Sequence, residues 1–308
     1  MKILVATEKP FASAAIGLIR EVVEKGGHQL ALLEKYKTSQ ELYQYLGDAD
    51  ALIVRSDIVD PAAIAASPRL KIVVRAGAGY DNLDLPACTA RNIVAMNTPG
   101  QNSNAVAELA FGMMLYLARG GFNGKTGSEL RGKSIGIHAF GNVGKYVAKI
   151  AVGLGMDVYA YDLYVKGDVM RDAGVTPVET IEELYGKCQY VSLHIPANEK
   201  TKNSIGEKIL SLMPEGAVLV NTARKEVINE QELVEVMEKR PDFKYLSDMA
   251  PDNAALYAEK FAGRYFFTPK KMGAQTEEAN INSGVAAAQQ IVDFFATGNE
   301  TYRVNKNK

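Results

Sequence analysis

Cysteine is scarce in this chain: two among 308 residues, Cys88 and Cys188, far apart and with neither a C-x-x-C pair nor a Cys/His cluster. That excludes a disulfide-built scaffold and a zinc site, and it points to a reducing, cytoplasmic compartment. Histidine is scarce too, with His28, His138 and His194 and none beyond residue 194. Long apolar runs are missing. The most apolar segment, 105–118, is cut by Glu108, so nothing spans a bilayer. The opening MKILVATEKP has only a short apolar run before Thr7 and Glu8, which reads as a strand and not a signal peptide. Neither charge dominates, Lys plus Arg numbering 35 against 36 Asp plus Glu. No global field recruits nucleic acid or membrane, and any anion affinity must be local.

What remains is a chain of ordinary globular composition, 47% hydrophobic and 23% charged, long enough for two domains. The first hundred residues alternate strands (2–7, 29–33, 51–55, 71–75, 93–97) with helices (12–25, 39–46) and shorter turns at Pro61 and Pro86. A second alternation begins at 133, with strands at 190–195, 217–221, 244–248 and 264–268, helices near 180–185, 204–213 and 231–239, and a closing helix over 277–296. Such alternation predicts α/β architecture with doubly wound parallel sheets. Between the halves, 101–119 predicts a helix capped by Asn102, Ser103 or Asn104, apolar nearly all round and so buried on all sides. It is either a core helix between domains or a subunit interface.

The densest signal lies in 133–162, KSIGIHAFGNVGKYVAKIAVGLGMDVYAYD: strand, turn, helix, strand. Gly141, Asn142, Val143 and Gly144 form the turn. A helix N-terminus there offers bare N–H groups to an anion, Gly141 lets a pyrophosphate approach and Gly144 lets the helix pack on the strand. Asp162, 18 residues after Gly144, is placed to accept both hydroxyls of a ribose. Its charge repels a 2′-phosphate and Leu163-Tyr164 supplies no cation, so the cofactor reads as NAD. The first glycine of the G-x-G-x-x-G pattern is Ala139 here, acceptable if the turn keeps φ negative.

VRSD (54–57), RAGAGYDNLDL (75–85), NTPGQNSNAVAE (97–108), LRGKSIGI (130–137), LHIP (193–196), VNTAR (220–224) and GAQTEEAN (273–280) accompany that turn. With these motifs the chain resembles, nearly end to end, the NAD-dependent D-2-hydroxyacid dehydrogenases, and among them the branch that oxidises D-3-phosphoglycerate. The resemblance implies a flavodoxin-like substrate domain made of residues 1–99 and 280–308. A Rossmann-type nucleotide domain, residues 100–279, is inserted into it, with the active site in the cleft. It implies a homodimer supported by the 101–119 helix and the absence of the serine-feedback domain of longer members. The implied reaction takes D-3-phosphoglycerate to 3-phosphohydroxypyruvate with NAD, opening serine biosynthesis. Carried over residue by residue, His194, Ile195 and Pro196 lie beside adenine. Thr222, Ala223 and Asp248 lie by the nicotinamide, and Gly77, Ala78 and Gly79 meet substrate and cofactor through backbone N–H groups.

Oxidising a 2-hydroxy acid needs a carboxylate anchor, and Arg224 is the candidate, its planar fork gripping carboxylate and 2-oxygen. It also needs a base, and here the chain departs from the family. Where most members carry T-P-H-x-G-A, this sequence reads Thr268-Pro269-Lys270-Lys271-Met272-Gly273-Ala274, and five residues beyond Asp248 stands Asn253, not a glutamate. A carboxylate beside a lysine, ordinarily near pKa 10.4, would hold its proton, whereas a neighbouring guanidinium favours release. Lys270 or Lys271 is therefore expected to replace the histidine, Lys270 by counting from Thr268, with Asp252 an optional orienting acid. Arg55 and Arg75, ending two strands of the first half, are expected to bind a phosphorylated substrate. Two other readings stand beside this one: a glyoxylate or hydroxypyruvate reductase, and a non-catalytic NAD-sensing scaffold of the corepressor kind.

Overall fold

The computed structural model describes residues 1–306. The chain divides into two compact units, Met1–Asn102 with the segment from Thr276 onward, and Ser103–Gln275.

The first unit is built on β1 (Lys2–Thr7), β2 (Gln29–Glu34), β3 (Ala51–Val54), β4 (Ile72–Arg75) and β5 (Val94–Asn97), in the order β2-β1-β3-β4-β5 and parallel throughout. Both faces of the sheet are covered. Ile3 and Val5 of β1 enter one apolar cluster with Ala51 and Ile53, while Leu4 and Ala6 enter another with Leu52 and Val54. Side chains alternate between faces, so a strand buried on both sides reads as one unbroken apolar run. Each fully buried Leu or Ile contributes about 1.5–3 kcal/mol. The helix Glu277–Thr297 returns to this unit, capped by Thr276 (Ala279 N–H to its hydroxyl, 3.1 Å) and stopped by Gly298 at φ 72°. It lies against Ser13–Lys25 so closely that a Cβ on Gly284 would come 2.8 Å from Ile19 Cδ1. Downstream, Asn305 pins the tail to the sheet edge, accepting from Ala95 N–H (2.9 Å) and donating to Ile93 O (2.9 Å).

The second unit carries β6 (Ser134–His138), β7 (Asp157–Tyr161), β8 (Thr176–Pro177), β9 (Tyr190–Leu193), β10 (Val218–Asn221), β11 (Lys244–Ser247) and β12 (Tyr265–Phe267). The order is β12-β11-β10-β9-β6-β7-β8, again parallel. The order in which successive strands are added changes sense between β6 and β9, the switch point where open α/β sheets take ligands at their carboxyl ends.

Three sequence expectations are corrected here. The 101–119 helix forms as Ser103–Ala118 but is not buried on all sides. Val106, Ala107, Ala110, Phe111, Met113 and Met114 are covered, partly by the helix Asn142–Gly153, while Leu115 and Tyr116 stay 40% and 37% exposed. The 204–213 helix shrinks to Glu207–Leu210, because Gly206 caps it and its first N–H goes to Glu232 Oε2 at 2.7 Å. Ala139 has φ 84°, not a negative value. Its N–H donates to Tyr161 O at 2.9 Å, a bond that ties the turn to the neighbouring strand. The conformation is one an L-residue adopts at a cost of about 1–2 kcal/mol. Short elements at Gly167–Asp172, Thr176–Pro177 and Ala254–Lys260 have no counterpart in the sequence reading.

Candidate active site

In the second unit the sequence-chosen residues gather at the carboxyl ends of the strands. After β6 the chain turns through Ala139–Gly141 into the helix Asn142–Gly153, whose cap makes no side-chain hydrogen bond and whose first turn holds no acid. That leaves the N–H groups of Asn142, Val143 and their neighbours aimed outward with the helix dipole behind them, a seat for an anion. A Cβ built on Gly141 would meet nothing within 4 Å, whereas one on Gly144 would strike Ala139 O at 2.3 Å and Ile137 Cγ2 at 3.1 Å. Gly141 thus leaves room for a ligand, and Gly144 lets helix and turn touch.

Asp162, just past β7, does more than the sequence suggested. Its Oδ2 accepts from Phe140 N–H at 2.7 Å, and Oδ1 accepts from Tyr164 (2.7 Å) and Val165 (3.0 Å) N–H groups. The carboxylate braces the strained turn as well as facing it. With roughly four lone-pair sites on a carboxylate, capacity remains for a ribose hydroxyl. The bare helix end, the open space at Gly141 and this acid fit a dinucleotide.

His138 and His194 sit on adjacent strand ends, His194 N–H donating to His138 O at 2.9 Å. Burial pushes His138 down to about 4, against a small opposing pull from Asp162, and His194 down to about 3, with His138 adding to it. Both rings are therefore weak bases, poorly suited to take the hydroxyl proton in place of the missing shuttle. His138 Nδ1 lies 3.3 Å from Tyr185 Oη and His194 Nδ1 lies 3.5 Å from Thr222 Oγ1. Among the described residues His194 Nε2 is buried without a hydrogen-bond partner. Ile195 is buried and Pro196 exposed, its carbonyl taking the Thr201 hydroxyl.

After β10, Asn221 shapes the turn that presents Thr222, Ala223 and Arg224: its Oδ1 accepts from Ala223 N–H (3.0 Å) and its Nδ2 donates to Arg224 O (2.9 Å). The sequence reading passed over Asn221; an amide heading the TAR triplet was the available signal. The Arg224 guanidinium donates to Ala223 O at 2.9 Å, which leaves most of its five donors.

Asp248, 4% exposed, turns both oxygens onto the lysine segment. Oδ1 accepts from the Thr268 hydroxyl (3.0 Å) and Met272 N–H (2.7 Å), and Oδ2 from Gly273 N–H (2.7 Å). Lys270 and Lys271 both extend from this loop as exposed side chains, and Lys270 takes part in no ion pair among the described residues. The expected orienting acid is drawn elsewhere. Asp252 pairs with Lys225, whose amine it holds at 2.5 Å, while the N–H groups of Asp252 and Asn253 donate to Glu230.

The first unit collects its own cations at the ends of β3 and β4. Arg55 is partly consumed by the fold: Nη1 donates to Lys9 O and Pro10 O (3.1 Å each), Nη2 to Asn280 Oδ1, and the group lies 5.1 Å from the Phe11 ring. Burial lowers its pKa from the ordinary arginine value. Arg75 donates through Nε to Arg55 O at 2.9 Å. Its guanidinium then lies over Gly77, where a Cβ would fall 1.5 Å from Nη1, and Gly77 has φ 152°. Ala78 O is fixed by Asn97 Nδ2 at 2.6 Å and Gly79 follows. Asp57, a residue the motif contained without a role, anchors this corner. It accepts from Glu8 N–H (2.6 Å), Arg55 N–H (3.2 Å) and the Tyr36 hydroxyl (2.9 Å); burial first, and the Asp57 carboxylate after it, push the tyrosine's pKa up. Asn82 Nδ2 closes the corner on Asp57 O at 2.6 Å.

Residues 110–262 match the NAD-binding domain of the D-isomer specific 2-hydroxyacid dehydrogenases. The structure resembles the NAD+-bound 3-phosphoglycerate dehydrogenase of Entamoeba histolytica with TM-score 0.88 and 47% identity, covering 100% of this chain and 99% of that one. In sequence it is 35% identical to D-3-phosphoglycerate dehydrogenase of Methanocaldococcus jannaschii over 82% of this chain and 51% of that protein. It is also 35% identical to hydroxypyruvate reductase of Thermotoga maritima over 67% of this chain and 71% of the relative. The chain belongs to the D-2-hydroxyacid dehydrogenase family. Its second unit contains the family's NAD-binding domain, and NAD is the cofactor that goes with it. It spans about half the length of the archaeal phosphoglycerate dehydrogenases it matches, 51% and 57%. No helix among the described residues is long and apolar enough to cross a membrane.

Proposed function

We propose that this chain oxidises D-3-phosphoglycerate to 3-phosphohydroxypyruvate with NAD, the step that opens phosphorylated serine synthesis. The second unit supplies the cofactor seat, the Arg224 anchor and the proton acceptor. Arg55, Arg75 and the Gly77–Gly79 backbone, all within the first unit, are read as its anion-binding groups. Bound NAD supplies the hydride acceptor, nicotinamide C4. Arg224 holds the substrate carboxylate and polarises the 2-oxygen. A lysine amine, that of Lys270 ahead of Lys271, takes the hydroxyl proton as the C2–H electron pair leaves with its hydrogen. The observation that carries the substrate assignment is Arg75 folded over Gly77 beside Arg55: two guanidinium groups at adjacent strand ends suit a substrate with a phosphate as well as a carboxylate. The Entamoeba relative's activity points the same way. Cytoplasmic location and a homodimer using the exposed side of Ser103–Ala118 complete the reading.

The likeness to a hydroxypyruvate reductase favours one competing substrate. NADH formation with 3-phosphoglycerate, set against NADH consumption with hydroxypyruvate and with glyoxylate, separates the two. A preference for 3-phosphoglycerate is expected. Turnover of the unphosphorylated acids alone contradicts the substrate assignment, and NAD binding with no turnover at all favours the sensor reading.

A further inference from the structure

We propose that Asp248 and Thr268 are positioning residues that set the loop Pro269–Met272 bearing Lys270 and Lys271. The proposal rests on the reading that one of these lysines accepts the substrate proton. β11 and β12 pair with Ser247 opposite Phe267, and Thr268 N–H donates to Ser247 O at 3.1 Å, so Thr268 stands beside Asp248 just beyond the ladder. Both are buried, at 2% and 4% exposure. The carboxylate then closes the loop from both ends, holding the Thr268 hydroxyl on entry and the Met272 and Gly273 N–H groups on exit. Asp248 makes no ion pair among the described residues. Its buried charge is satisfied by these three donors, and charge-assisted bonds of this kind are the strong ones. Gly273 belongs to the same device, since a Cβ there would sit 2.8 Å from Asp248 Oδ2 and 3.2 Å from Val106 Cγ2.

The consequence differs from the family-derived expectation of Asp248 at the nicotinamide. A carboxylate with both oxygens turned onto its own loop acts on catalysis through the lysine backbone. A proton acceptor must be held to within a fraction of an ångström, and a displacement of about 1 Å costs on the order of 100-fold in rate.

The test uses Thr268→Val, which deletes one donor with little change in shape, Thr268→Ser, which restores the hydroxyl, and Asp248→Asn. Hydrogen exchange of the Met272 and Gly273 amides reports the loop, NADH binding reports the cofactor seat, and kcat reports the chemistry. Thr268→Val is expected to speed exchange at both amides and lower kcat about 10-fold or more, with NADH affinity within about twofold and recovery in Thr268→Ser. Asp248→Asn is expected to do the same more strongly. Faster exchange with unchanged kcat, or Asp248→Asn acting on NADH affinity instead of kcat, overturns the proposal. Wild-type protein that transfers no hydride contradicts the proposed function itself, an outcome told apart because the variants are then never the cause.

Discussion

The two sheet ends hold their cations in opposite ways. In the first unit Arg55 is tied through its own side chain to Lys9 O, Pro10 O and Asn280, and Arg75 is bonded to Arg55 O. In the second, Lys270 and Lys271 extend as exposed side chains from a loop whose backbone is braced by one buried carboxylate. Fixed guanidinium groups suit recognition of anions whose charge does not change during reaction. On the proposed function, a group that gains and loses a proton sits on a loop whose backbone is braced, which keeps its amine in reach of the substrate.

The largest effect that would break this contrast is at Arg224. Arg224→Ala is expected to lower kcat/KM about 1,000-fold, roughly 4 kcal/mol of lost transition-state stabilisation, while NADH binding persists. Steady-state kinetics with a fluorescence titration checks it; a loss under tenfold removes Arg224 from the anchor role.

Next comes acid sensitivity, set in the second unit by His138 and acting in the same direction in the first through His28, which burial also lowers. His138 falls from 6.5 in the unfolded chain to about 4 in the folded protein. Between those values the unfolded state binds the extra proton, so stability is fully present above the upper value and is lost as pH falls toward the lower one. The slope is about 1.4 kcal/mol per pH unit for one proton. Denaturant melts across that window, compared with His138→Gln, measure it, and a variant with the same slope as wild type denies the buried neutral ring.

A smaller change sharpens the first unit's side of the comparison. Gly77→Ala forces a side chain into φ 152° and onto the Arg75 guanidinium. KM for 3-phosphoglycerate is expected to rise about 10- to 100-fold, with NADH affinity unchanged, because a lost charge-assisted contact costs roughly 1.5–3 kcal/mol. Equal losses for glyoxylate would point away from phosphate recognition. Smallest is Ala139→Gly, which relieves the positive φ at the cost of backbone entropy. A gain in stability of up to about 1 kcal/mol is expected from a thermal melt, and a clear loss contradicts the strain.

Much of the fold was legible because both sheets are parallel and doubly covered. Segments such as Ala51–Val54 and 218–220 are unbroken apolar runs whichever face each residue takes, and the ends of their strands were placed to within about two residues. Short helices such as Gly167–Asp172 and Ala254–Lys260, neither of which has a side-chain cap, gave no such run. The exposed side of Ser103–Ala118 suits the subunit-interface alternative, because composition registers how apolar a helix is, not which surface covers it. At the site, the hydrogen bonds that each side chain makes were not legible in the sequence. Asp162 and Asp248 were assigned to a ligand from motif position, yet their oxygens also brace the backbone around them, an arrangement that only the folded turns create. Ala139 shows the same limit, since its φ is dictated by Tyr161 O and Gly144 and not by its own letter.

The central claim is that a lysine amine, in place of any imidazole, takes the proton while Arg224 grips the acid. The most direct measurement is NADH formation from 3-phosphoglycerate by wild type, Lys270→Ala and Lys271→Ala across a pH series. Wild type is expected to turn over, and one lysine variant to lose on the order of 100-fold or more in kcat together with the basic limb of the profile. Two variants as active as wild type would contradict it.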